Sequence, residues 1–192
     1  MERSSMSLYA TVISVFTLGF VGRIVLHDYP NFETVMVASF LSAMVLPRNW
    51  TFIVTISMIV ASDIYLGYFG GTKILLFTYS GFLFVSLLTS KFKNSIQGGI
   101  KPGTVYKFGA SGIILTLMYD IWTNFGVFVL SYEHTLDNLI LVYILGLPFM
   151  LYHLLSSLIT FTLIGFPSYV IYLFGMKDEL VMDDETASHE KN

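Results

Sequence analysis

The residues best suited to binding chemistry lie in the segment 109–130, which is about as long as a membrane crossing requires. Its second half carries Asp120, Thr123 and Asn124. An ionisable group inside a membrane span is costly unless it faces a partner or a water-filled cavity. Asp120 and Asn124 are four residues apart and share one helix face, with Thr123 beside them. This spacing predicts a substrate-binding face; the alternative is a structural carboxylate satisfied by a neighbouring helix.

The composition defines the class of protein that must position this face. Of the 192 residues, 55% are hydrophobic and only 12% are charged, about half the charged share of a soluble domain. The chain is therefore expected to be an all-α, polytopic membrane protein with one domain. It contains no cysteine, which excludes disulfides and thiolate metal sites. No P-loop or nucleic-acid-binding motif is present, so neither a cofactor nor a nucleic-acid partner is expected.

Hydropathy predicts six transmembrane helices in one bundle, within a membrane domain of residues 1–176. The six spans are expected at Ser7–Leu26, Phe32–Leu46, Trp50–Leu66, Lys73–Ser90, Gly109–Leu130 and Pro148–Phe174. A short helix at Leu139–Gly146 is expected to lie over the protein, and the run 165–167 is expected to kink span six at its proline. Residues 177–192 are acidic and are expected to form a disordered cytoplasmic tail.

The distribution of lysine and arginine predicts the orientation in the cell membrane. With six spans and a cytoplasmic N-terminus, eight of the 10 cations fall on the inner side and two, Arg23 and Lys73, on the outer side. Cytoplasmic loops carry the excess of Lys and Arg. Both termini are therefore expected in the cytoplasm.

This topology gathers the polar groups of the spans into the outer half of the membrane. Asn31 and Glu33 open span two, Asp63 closes span three, and His153 lies about one and a half turns into span six. Together with Asp120 they predict a substrate-binding cavity open to the outside.

Each of these signals also has a structural interpretation. Asp63 is equally suited to a structural role, either capping the loop that follows it or pairing with Arg23. Glu33 is suited to simple solvation near the membrane boundary, and His153 to a hydrogen bond between helices. No second histidine stands at metal-ligand spacing from His153, so no metal site is expected. Trp122 is two positions from Asp120 and points to nearly the opposite side of the helix, which favours a packing role.

Four short motifs, taken in order, resemble a known family. They are Pro-Asn-Phe-Glu at 30–33, Ser-Asp-x-Tyr-Leu-Gly at 62–67, Tyr-Asp-x-Trp-Thr-Asn-Phe-Gly at 119–126 and Gly-Leu-Pro-Phe-x-x-x-His at 146–153. Over residues 7–174 the chain resembles the substrate-binding S components of energy-coupling factor (ECF) transporters.

The resemblance implies a six-helix vitamin-uptake fold. Substrate would lie near the outer face, held by spans four to six and loops one, three and five. It also implies partners, namely a transmembrane coupling protein and two ATPase subunits. S components often dock through an Ala-x-x-x-Ala face on span one, and the nearest match here runs from Ala10 to Ser14.

The sequence therefore predicts a substrate-binding membrane subunit, not an enzyme, that serves uptake of a vitamin or related heterocycle. One alternative is an intramembrane enzyme in which Asp120 and His153 form an acid–base pair. The other is a structural or assembly membrane protein without transport activity. A polar cluster in the outer half favours the binding subunit, because a scaffold needs no cavity there.

Overall fold

The computed structural model describes residues 5–29, 32, 34–70 and 73–176, and these residues form helices joined by short connections, without a β-strand. The prediction of an all-α fold is confirmed. The expected acidic tail, 177–192, lies outside the described residues. The helices are α1 (Ser5–Val25), α2 (Val35–Val45), α3 (Arg48–Tyr65), α4 (Leu75–Ile96), α5 (Pro102–Ser131) and α6 (Leu136–Thr160).

The short helix α2 is the centre of the bundle. Every one of its 11 residues is buried, and α2 contacts α1, α3, α4, α5 and α6. Its sequence has apolar or small residues on all faces, and a helix that is apolar all round is buried. Phe40 lies at its middle, against the rings of Phe108 and Phe161 at 5.1 and 4.9 Å.

Hydroxyl groups join α2 to its neighbours inside the core. Ser42 on α2 contacts Thr55 on α3 at 3.2 Å, and Thr55 contacts Ser86 on α4 at 2.9 Å. All three residues are buried. Small hydroxyl side chains let helices approach closely and satisfy one another across the interface.

Four helices are long and apolar enough to cross a membrane by length and composition: Ser5–Val25, Leu75–Ile96, Pro102–Ser131 and Leu136–Met176. Their outer faces expose large apolar side chains, such as Ile13, Leu76, Ile114 and Leu155, which suits a lipid environment. Helix α2 is about 16 Å long, which is roughly half the thickness of a 30 Å hydrocarbon core. Helix α3 has 18 residues but is less apolar, with Arg48, Asn49 and Asp63 in its sequence.

The boundaries of α4 and α5 correct the sequence prediction. The expected end of span four at Ser90 and the expected start of span five at Gly109 are wrong, because α4 continues to Ile96 and α5 begins at Pro102, which leaves a connection of only 97–101. Proline is favoured in the first turn of a helix, where its missing N–H is not needed. Helix α5 thus has 30 residues and extends beyond the predicted span at its start.

The expected separate helix at Leu139–Gly146 is wrong. Helix α6 begins at Leu136, after the Thr135 hydroxyl caps the N–H of Asn138, and passes through Pro148 without a break. Membrane helices tolerate an internal proline, because neighbouring helices and local adjustments of the backbone satisfy the groups that the proline leaves unpaired.

A π-helical turn, Phe161–Gly165, leads into the run 165–167 at which the sequence predicts a kink. The helix then continues through residues 166–176. Pro167 cannot donate a backbone hydrogen bond and its ring crowds the preceding turn, which accounts for a wide turn just before it.

Candidate functional site

The centre of the candidate site is a contact between Asp120 on α5 and His153 on α6. The distance between His153 Nδ1 and Asp120 Oδ1 is 2.8 Å, and both residues are buried. One shared proton makes this contact a hydrogen bond whether the pair is neutral or charge-separated. The Tyr119 ring packs edge-on against the imidazole with 5.7 Å between centroids. The two residues predicted to share a site are therefore in direct contact.

This contact is one of a series along the interface between the antiparallel helices α5 and α6. Four residues earlier on α5 and four residues later on α6, the Thr116 and Ser157 hydroxyls meet at 2.5 Å. One further turn in the same directions, Gly112 lies against the ring of Phe161. Residues four apart lie on the same face of a helix. Two antiparallel helices in contact therefore pair residues whose numbers fall by four on one helix and rise by four on the other. The register of α5 on α6 therefore fixes Asp120 opposite His153.

A cavity of about 350 Å³ opens beside the pair, between α4, α5 and α6. This volume falls at the small end of the range for ligand pockets, roughly 300–1,000 Å³. Its lining includes the predicted residues Asp120, Thr123, Asn124 and His153. Asp120 Oδ2 is buried and has no hydrogen-bond partner among the described residues. A buried acceptor in this state lowers stability by about 1–3 kcal/mol unless something binds it.

The other two predicted residues of α5 are hydrogen-bonded to their own helix. The Thr123 hydroxyl donates to the carbonyls of Tyr119 and Asp120, at 3.1 and 3.3 Å. The Asn124 amide donates to the Asp120 carbonyl at 2.8 Å. Each side chain retains oxygen lone pairs on the cavity side of the helix. Both residues can therefore accept further hydrogen bonds from a ligand.

Asp63 does not line this cavity. It is completely buried and pairs with Arg23 on α1, with 2.6 Å between Oδ1 and Nη2. Its Oδ2 accepts a hydrogen bond from Tyr79 on α4 at 2.7 Å, and Arg23 also donates to Ser62 at 3.0 Å. This closed cluster joins three helices, which is the structural alternative considered for Asp63.

The remaining sequence predictions fall elsewhere. Asn31 and Glu33 lie outside the described residues. Trp122 faces α4, where its indole N–H donates to Ser80 at 2.9 Å and its ring packs against Phe77 and Phe84. The predicted packing role of Trp122 is confirmed.

Five cavity-lining residues were missed by the sequence analysis: Thr78, Tyr119, Gly146, Phe149 and Met150. Three of them share a sequence signal with His153, because positions 146, 149, 150 and 153 follow the spacing of one helix face. The prediction of a break at Pro148 hid this face. Gly146 is needed there, since a Cβ atom would stand 2.4 Å from Asn124 Oδ1.

The long apolar helices and the polar groups held between them define an all-helical, membrane-embedded protein. The sequence profile of DUF6580, a family of unknown function, matches residues 3–178, and the chain belongs to this family. Comparison with curated proteins and with solved structures gives no match.

Proposed function

We propose that this protein is a membrane-embedded substrate-binding subunit for uptake of a small molecule. The observation that carries the proposal is Asp120 Oδ2, a buried acceptor without a partner among the described residues, at the wall of a cavity of about 350 Å³. A ligand N–H or O–H that binds this oxygen relieves its desolvation.

The cavity lining indicates the kind of ligand. Tyr119, Phe149 and Met150 offer apolar and aromatic surface, and Asp120, Asn124 and His153 offer polar groups. Rings stack well on aromatic side chains, while a small number of polar groups fix their orientation. A vitamin or related heterocycle with ring N–H, amide or hydroxyl donors suits this lining.

Two further features support a subunit of the ECF type. The resemblance to S components implies a site between spans four, five and six, and α4, α5 and α6 supply the cavity lining. Ala10 and Ser14 are exposed on α1 and line a groove of about 450 Å³ that also includes Ser168 and Ile171. Small residues suit close docking of another helix. In this proposal the partners are a transmembrane coupling protein and two ATPase subunits.

The proposed topology has six crossings with both termini in the cytoplasm of the cell. Helix α2 crosses inside the bundle, where neighbouring helices cover its ends, so it does not need a full span of helical residues. The excess of cations at one end of the bundle supports this orientation.

The contact between Asp120 and His153 also favours a second candidate, an intramembrane enzyme that uses the pair for acid–base chemistry. The two functions differ in the fate of the ligand. A binding subunit returns the molecule unchanged after prolonged incubation, whereas an enzyme converts it.

The proposal is tested by identifying what the protein binds. Protein purified from native membranes is denatured, and released small molecules are identified by mass spectrometry, with the Asp120→Asn variant purified in parallel. We expect one heterocyclic compound to be released in near-stoichiometric amount from the wild type and to be depleted in the variant. Equal amounts of every compound from both proteins would contradict the proposal.

A further inference from the structure

Three cations surround one cavity at the end of the bundle opposite the connection between α5 and α6. Arg48 begins α3, and Lys91 and Lys93 lie near the end of α4. The cavity has a volume of about 600 Å³, and no Asp or Glu stands among the described residues that line it. Arg48 and Lys91 are exposed. Such a cavity has the charge of an anion-binding site.

An apolar groove continues from this cavity along α4. Leu87 lines both the basic cavity and a groove of about 640 Å³ between α4 and α5. Phe84, Leu87, Leu88 and Lys91 have the spacing of one helix stripe. Phe84 and Leu87 are 45% and 42% exposed, so the groove is open at the surface of the helix bundle. Cationic and apolar surfaces are therefore continuous.

The length of the groove matches one leaflet of a bilayer. Gly81 also lines the groove, and it precedes Lys91 by ten residues, which is about 15 Å along the helix axis. The hydrocarbon part of one leaflet is also about 15 Å, half of a 30 Å core. A molecule with its anionic group at Lys91 would thus place an acyl chain along the groove.

We propose that this surface binds an anionic phospholipid. The phosphate lies among Arg48, Lys91 and Lys93, and one acyl chain lies between α4 and α5. A free phosphate would use only the basic cavity, and general attraction to an anionic membrane would not distinguish these cations from others at the same end. The apolar groove that begins at Leu87 favours a bound lipid over a free phosphate and over general attraction to the membrane surface.

Native mass spectrometry of the full-length protein in detergent tests this proposal. The probes are dioleoyl phosphatidylglycerol, dioleoyl phosphatidylcholine, glycerol phosphate and inorganic phosphate. We expect phosphatidylglycerol to bind most tightly and the two soluble phosphates to bind far more weakly. In the Lys91→Gln/Lys93→Gln variant, affinity for phosphatidylglycerol should fall about 25-fold. This expectation follows because each basic residue contributes ~1 kcal/mol, or about fivefold.

The matched control is Lys101→Gln/Lys107→Gln, which removes the same charge near the start of α5, outside the lining of the basic cavity. This variant should keep wild-type affinity for phosphatidylglycerol. Equal losses in both variants, or equal binding of the two lipids, would overturn the proposal. Tight binding of glycerol phosphate would indicate a phosphate site and would also overturn it. A Lys91→Gln/Lys93→Gln variant with unchanged lipid affinity but lower stability in lipid-free detergent would also overturn the proposal. This result is expected if a carboxylate of this chain, and not a lipid, binds the lysines.

Discussion

At the scale of residues, two buried carboxylates differ in how completely they are paired. Asp63 has a guanidinium on one oxygen and a phenol on the other. Asp120 has His153 on one oxygen, and its other oxygen has no partner among the described residues. A fully paired carboxylate holds helices together, whereas a half-paired one beside a cavity is available to a ligand.

This difference predicts different stabilities for two matched variants. Asp63→Asn leaves the Arg23 guanidinium, only 16% exposed, without its counter-charge, and should lower the free energy of unfolding by about 3 kcal/mol. Asp120→Asn keeps the side-chain volume and the contact of one oxygen with His153, and the other oxygen has no partner to lose among the described residues, so the variant should change stability by less than about 1 kcal/mol. Thermal unfolding of both variants in one detergent measures the contrast. Equal losses would show that Asp120 is structural as well.

The sequence predicted Asp120, Thr123 and Asn124 as one helix face from their spacing. It added His153, Asp63, Asn31 and Glu33 because the predicted topology places their polar groups in the same half of the membrane. It left the role of Asp63 open, since a carboxylate near a helix end suits a salt bridge and a ligand equally well. Only packing decides between them, and here Arg23 on α1 reaches Asp63 on α3.

At the scale of helices, the pairing of α5 and α6 determines where the site forms. Gly112 permits the close approach, because a Cβ atom there would stand 2.7 Å from Phe161 Cγ. Phe161 is completely buried against Phe40 and has little room to move. The sequence predicted that both helices exist, but it did not predict that α6 passes through Pro148, because a proline in a soluble helix usually ends it.

Gly112→Ala should therefore separate the two helices slightly. Overpacking of this kind lowers stability by about 1–3 kcal/mol. The control is Gly103→Ala on the same helix, where a Cβ atom would meet nothing within 4 Å; alanine there should be neutral or stabilising by up to about 1 kcal/mol. Thermal unfolding of the two variants checks the prediction. A neutral Gly112→Ala would mean that the helix contact is looser than the structure indicates.

At the scale of the whole molecule, the central helix α2 explains why hydropathy predicted the fold class well and the spans less well. Apolar composition indicates burial in protein and burial in lipid equally, and α2 is enclosed by protein on every side. The sequence predicts a short second span at Phe32–Leu46, and the helix found there, Val35–Val45, is shorter still. Its short length follows from its place inside the bundle.

The proposed topology predicts opposite accessibility at the two ends of α5. The chain has no cysteine, so single cysteines can replace Gly99, before α5, and Glu133, after it. Both positions are exposed, and a side chain at Gly99 would meet no neighbour within 4 Å. In intact cells an impermeant thiol reagent should label Glu133→Cys alone. Labelling of both variants, or of Gly99→Cys alone, would contradict the topology.

The central claim is that Asp120 binds a ligand, and the most direct measurement is the affinity of the co-purified compound for wild-type, Asp120→Asn and Asp63→Asn proteins. Titration calorimetry in detergent suits all three. Asp120→Asn should weaken binding by about 1.5–3 kcal/mol, the contribution of a charged hydrogen bond. Folded Asp63→Asn protein should bind as the wild type does. Unchanged affinity in a well-folded Asp120→Asn protein would contradict the proposed site.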